Sequence, residues 1–283
     1  MAHDPMDHVK DADTFHVFDR LFDGVHIHLP NILGFQITKY MVLELLAAGL
    51  VVAIYVPLAR RAQSGEPPKG SWWNCFESLL TFIRNDVARP NLGEKDADHY
   101  VPFLWTLFLF ILFCNLLGMF PYMGSPTANI WVTGALGICA FFAIHGSPIA
   151  RDGASHYLKS QWPHIHLGHG FVAEAFGTLL SLMIFTIEML GTVIKSFVLA
   201  VRLFANMFAG HMVLASILLF IVIVGTTPEG HAKFSGIWLL VTLSSFFGTV
   251  ALSLLELFVA FLQAYIFVFL TALFMGMALH PEH

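Results

Sequence analysis

From Phe171 to Val224 the chain is almost unbroken apolar sequence, and from Ile237 to Leu279 it is so again. About 20 helical residues cross the ~30 Å hydrocarbon core of a bilayer. At about 1.5 Å of rise per residue, a helix covering the first run would be roughly 80 Å long. Two arrangements fit that length: broken helices, or two long, strongly tilted helices forming a hairpin in the membrane. Length alone leaves both open. The membrane setting is clear from composition, with 57% hydrophobic and only 12% charged residues, against about 25% charged in a soluble domain.

The rest of the chain reads as an all-α integral membrane protein with about five membrane helices and one interfacial helix. Residues 1–36 are acidic and histidine-containing and form an extracytoplasmic arm with one short helix. They lack a basic segment followed by an apolar one, so no cleaved signal peptide is expected. The first membrane helix occupies 37–59 and ends at Arg60 and Arg61. Residues 60–98 hold a Pro/Gly loop and SWWNCFESLLTFIRNDVARP, an amphipathic stretch too polar to span and suited to the membrane surface. A helix pair fills 99–145, with spans from Tyr100 to Phe120 and from Ala128 to Ile144. A histidine-rich loop follows at 146–170, and the hairpin takes 171–279. Lys and Arg cluster in 60–98, whereas 121–127 has none and 225–236 only Lys233. The positive-inside rule then places 60–98, 146–170 and the C-terminus in the cytoplasm and the N-terminus outside.

Several classes are excluded. A net charge of −5 does not suit a nucleic-acid binder. Cys75, Cys114 and Cys139 are far apart and odd in number, so they give neither a disulfide framework nor a metal site. No phosphate-binding Gly loop is present, so no nucleotide is bound directly and no cofactor is implied. His164, His166 and His169, like His26 and His28, are read as solvated loop residues rather than a zinc site. Trp72 and Trp73 suit a membrane-interface belt.

The informative residues are the polar ones inside the hairpin. An arginine at mid-membrane costs about 2.5–3.5 kcal/mol on insertion scales, so Arg202 needs a partner or a task. Glu188, Lys195 and Arg202 recur every seven residues and Asn206 follows four later. At about 100° per residue all four share one stripe about 60° wide. Glu256 and Gln263 share a face of the return helix. A hairpin turning near Gly230 and His231 sets Glu256 opposite Asn206 and Gln263 near the depth of Arg202. His211 and Glu256 then form a candidate titratable pair. A polar stripe in an apolar run is the pattern of an ion path. Guanidinium stays charged where a desolvated lysine loses its proton, so Arg202 is a fixed charge that draws protons off a passing carboxylic acid. The plainer alternative is that Arg202 pairs with Glu188 or Glu256 to hold helices together.

The string Glu188, Lys195, then Arg202-Leu203-Phe204-Ala205-Asn206-Met207-Phe208-Ala209-Gly210 resembles subunit a of the F-type ATP synthase. So do PFLWTLFLFILFCNLLGMFP at 102–121, Pro126-Thr127-Ala128-Asn129, and Leu262-Gln263-Ala264. The resemblance runs from about residue 70 to the C-terminus. It implies a non-catalytic stator subunit whose tilted hairpin, through 188–211 and 256–263, faces a rotating c-ring and whose other partners are the b-subunit peripheral stalk and the lipid bilayer. Arg202 matches the essential arginine of the family. Asn206, His211, Glu256 and Gln263 match the half-channel from the outer face, and Glu188, Lys195 and Ser196 the exit toward the cytoplasm of a bacterial inner membrane. Relatives commonly carry the acid on the first hairpin helix and the histidine on the second, and here His211 and Glu256 are exchanged. Two rival classes lack support: a secondary transporter, for want of an internal repeat, and a membrane scaffold, which leaves the polar stripe unexplained.

Overall fold

The computed structural model describes residues 14–17, 25–28, 31–32, 35–63, 70–120, 124–155, 157, 171–225 and 236–280. The N-terminal arm contains strands where a short helix was expected. β1 (Thr14–Val17) pairs antiparallel with β2 (Val25–His28), and β3 (Asn31–Ile32) with β4 (Phe35–Gln36). The segments TFHV and VHIH have the β-branched content and two-residue alternation of strands, and His16 falls opposite His26. The histidine-rich cluster at 164–169 lies outside the described residues.

The other elements among the described residues are helices. α1 is Lys39–Gln63, α2 Ser71–Phe82, α3 Arg89–Leu92, α4 Glu94–Gly118 and α5 Ile130–Asp152. α6 runs Phe171–Gly225 and α7 Gly236–Leu279. Five helices are long and apolar enough to cross a membrane: α1, α4, α5, α6 and α7. Neither long run is broken, because α6 is a single helix of 55 residues and α7 one of 44. Such helices, roughly 80 and 65 Å long, fit a ~30 Å core only at a steep tilt.

Local chemistry explains the other helix ends. A π-helical turn, Ile83–Ala88, joins α2 to α3. It precedes Pro90, whose ring would collide with the carbonyl of Asp86 in an α-helix, and the wider turn relieves that contact. Gly93, at φ 80°, ends α3 in a conformation that favours glycine. α4 starts at once with Glu94 and Asp96 in its first turn, where carboxylates complement the helix dipole. It therefore begins earlier than the expected Tyr100. α5 continues through Pro148 to Asp152, past the expected end at Ile144.

The chain divides into two compact units. The first comprises residues 1–77, 106–132 and 203–266. Its core includes Ala47 of α1 packed with Cys114 and Leu117 of α4. Phe108 meets Phe261 edge-on, with ring centroids 5.8 Å apart. Gly118 has no room for a side chain, since a Cβ there would overlap Ser125.

The second unit comprises residues 78–105, 133–202 and 267–283. Trp105 donates its indole N–H to the carbonyl of Leu80 at 2.8 Å, pinning α2 to α4. Arg84 grips Asp98 through two charge-assisted bonds of 2.8 and 2.9 Å. That hydrogen bonding, and then the carboxylate's charge, raises the Arg84 pKa above its ordinary value. Gly137 of α5 faces Ala200 and the carbonyl of Ser196 on α6, a close approach that only glycine permits.

Candidate functional site

Polar groups gather at one place in each unit. In the first, α6 supplies Gly210 and His211, and α7 supplies Glu256. The Glu256 carboxyl lies against the backbone of Gly210, where a Cβ would collide with Oε1. The hairpin register is therefore one turn away from the expected facing of Glu256 and Asn206. Glu256 Oε1 and His211 Nε2 are both buried and make no hydrogen bond among the described residues. Buried polar atoms of this kind ask for water, an ion or a proton. Gln263 is buried, two turns beyond Glu256 on α7. Asn206 is exposed.

Behind this site stands a buried hydrogen-bonded chain that sequence reasoning did not assign. Asn115 Nδ2 on α4 donates to the carbonyl of Ala260 at 3.0 Å, midway between Glu256 and Gln263. Thr127 Oγ1 donates to Asn115 Oδ1 at 2.6 Å, and the Ser125 and Thr127 hydroxyls are 2.7 Å apart. The turn carrying Pro126 and Thr127 thus fixes Asn115, and Asn115 fixes α7 beside the acid. A lone Asn in a Phe/Leu-rich helix was the available signal.

In the second unit a cavity of about 530 Å³ lies among α3, α5, α6 and α7. Glu188, Thr192 and Lys195 line it from α6, His145 from α5, and Tyr157 and His280 complete its polar wall. Glu188 and Lys195 thus share one face, as their spacing predicts. Lys195 Nζ sits 5.0 Å from the centroid of the Phe274 ring, a cation–π distance. Thr192 donates to the backbone carbonyl of Glu188 at 3.0 Å, and Glu188 itself is exposed. His280 Nε2 lies 3.1 Å from Asp96 Oδ2, which also accepts from Arg151 at 2.8 Å. Ser196 is buried against α5 with its hydroxyl unbonded among the described residues, and it does not line the cavity.

Arg202 is half-buried on α6 and makes no hydrogen bond or ion pair among the described residues. The plainer reading of its charge, a pairing with Glu188 or Glu256, finds no ion pair among the described residues. Arg202 is thus a fixed charge on a long helix of mostly apolar sequence. Exposed apolar residues flank it on the same helix, including Ile194, Phe197 and Val198.

From residue 41 to residue 276 the chain matches the family model described as ATP synthase A chain. It is similar to ATP synthase subunit a of Myxococcus xanthus, 38% identical over 255 residues that cover 90% of this chain and 77% of that one. To ATP synthase subunit a 2 of Chlorobaculum tepidum it is 37% identical over 278 residues, 96% of this chain and 72% of the relative. For ATP synthase subunit a of Chloroherpeton thalassium the identity is 36% over 294 residues, covering 99% and 80%. Both the extent of the match and the level of identity lead to one conclusion: the chain belongs to the ATP synthase A chain family.

Proposed function

We propose that this chain is the membrane stator of a rotary ATP synthase and passes protons to and from carboxylates on a ring of c subunits. The observation that carries this is Arg202: a permanent charge on a long apolar helix, without a partner among the described residues. A ring carboxylate arriving in turn supplies the counter-charge. The guanidinium favours the ionised acid, so the proton departs as the carboxylate reaches it.

The polar groups divide to match the two paths such a mechanism needs. His211 and Glu256, with Asn206 and Gln263 on the same two helices, would line the half-channel from the outer face. The cavity with Glu188 and Lys195 would be the inner one, and the buried Ser196 would support its wall. Each elementary charge that crosses is worth about 2.3 kcal/mol per 100 mV of membrane potential, and that energy would drive the ring. The chain itself performs no bond chemistry on ATP in this reading. The peripheral stalk of b subunits would hold it still, with the N-terminus outside and the C-terminus cytoplasmic.

The deciding experiment is ATP-driven proton pumping by the reconstituted complex carrying Arg202→Ala. Pumping is expected to vanish while the complex still assembles. Normal coupled pumping by an assembled Arg202→Ala complex would refute the assignment.

A further inference from the structure

His145 stands out in the cavity of the second unit. It is buried to nine-tenths near the end of α5, yet it lines a space large enough for many waters. Its Nδ1 is 2.6 Å from the Tyr157 hydroxyl, which is itself buried. Its ring also packs on Phe141, 4.5 Å between centroids. These two contacts hold the imidazole in one orientation. Nε2 is left buried and without a hydrogen bond among the described residues. In the tautomer whose Nδ1–H donates to Tyr157, Nε2 keeps its lone pair and is a proton acceptor.

The surroundings supply the rest of a proton path. Glu188 and Lys195 of α6 share the cavity, and His280 stands at its wall, linked to Asp96 and through it to Arg151. Burial and then the Glu188 carboxylate raise the Tyr157 phenol above its ordinary value, so it stays protonated as the orienting partner. A buried nitrogen without a partner beside a polar cavity is a seat for a bound water.

We propose that His145, oriented by Tyr157, carries protons through this cavity between water near Glu188 and water near His280. Nε2 takes a proton from a hydronium on one side and returns it to water on the other, so neither charge nor atoms accumulate. Tyr157 acts only as a positioning residue. This inference rests on the reading of the cavity as the inner half-channel.

The test is ATP-driven proton pumping by the whole reconstituted complex, normalised to assembled complex, in His145→Gln, His145→Ala, Tyr157→Phe and Glu188→Gln variants. His145→Gln is expected to slow pumping about tenfold, less than the roughly hundredfold of a sole acid–base group because cavity water offers a parallel route. Tyr157→Phe should cause a smaller loss, and added imidazole should restore part of the flux in His145→Ala. Normal pumping by His145→Gln with impaired Glu188→Gln overturns the relay and leaves the cavity reading standing. Normal pumping by both overturns the cavity reading and the relay with it. A His145→Ala loss that imidazole leaves untouched makes His145 a packing residue and also overturns the relay. If His145→Gln fails to assemble, Tyr157→Phe decides, and a normal rate there counts against the proposal.

Discussion

The carboxyl group of Glu256 rests on Gly210, the residue that closes the RLFANMFAG string. This gives that glycine a steric reason to exist. The neighbours of a Cβ at position 210 would be Oε1, with Cδ at 3.2 Å and Cγ at 3.3 Å, all on one flexible side chain. Gly210→Ala should therefore displace the acid and leave the helices where they are. We expect assembly near normal and proton pumping lowered by about tenfold, equivalent to about 1.4 kcal/mol on the barrier. Proton pumping normalised to assembled complex checks this, and an unaltered rate would show that the carboxyl position is not critical.

His211 and Glu256 each end in a buried atom without a hydrogen bond among the described residues. One can hold a proton as a cation and the other as a neutral acid, so the pair offers two chemistries at neighbouring positions. His211→Glu alone puts two acids together, and Glu256→His alone two imidazoles. The double exchange restores one of each and is expected to pump better than either single variant. Coupled pumping in the three variants measures it; a double variant no better than the worse single one would separate the roles of the two residues.

Much of this arrangement was legible in the sequence, and the failures have physical causes. The two apolar runs gave α6 and α7 nearly to the residue, because a change from apolar to polar sequence sets a membrane helix end directly. The seven-residue spacing placed Glu188 and Lys195 on one wall. What the sequence lacked was the geometry of the segment between α6 and α7, so the facing of Glu256 was misjudged by one turn. Asn115 and Ala260 are separated by 145 positions, and no periodicity links them. His145 was not singled out, since the apolar span was ended at Ile144 and 146–170 read as a loop, whereas α5 continues through Pro148 to Asp152. The two-residue alternation in TFHV and VHIH is a strand signal that the reading of 1–36 as an arm with one short helix left out.

The chain Ser125–Thr127–Asn115–Ala260 predicts a stability effect. Asn115→Ala removes a donor and an acceptor from a fully buried position and leaves the Thr127 hydroxyl without its acceptor. The expected cost is about 1–3 kcal/mol. Thr127→Val removes the hydroxyl that meets Asn115 Oδ1 and Ser125 Oγ but keeps the Asn115–Ala260 bond, so it should cost less, about 1 kcal/mol. Thermal denaturation of the purified complex in detergent, followed by loss of subunit association, ranks the two. Equal stability of Asn115→Ala and the parent would mean that α7 is held by apolar packing alone.

Gly137 and Ala200 offer a test of the second unit that does not depend on any proton. A Cβ on Gly137 would come 2.9 Å from the Ala200 Cβ and 3.2 Å from the Ser196 carbonyl oxygen. Neither neighbour is the far end of a flexible side chain, so Gly137→Ala must push α5 and α6 apart. Overpacking of this kind costs about 1–3 kcal/mol. Ala200→Gly alone should also destabilise, by about 1 kcal/mol, through its weaker helix propensity. The double variant exchanges the two residues and removes the 2.9 Å contact, leaving the Ser196 carbonyl as the tight neighbour. Its total cost should fall below the sum of the singles by 0.5 kcal/mol or more, roughly the coupling measured between touching side chains. Strict additivity in the same denaturation assay would mean that the two helices do not meet at these residues in the assembled complex.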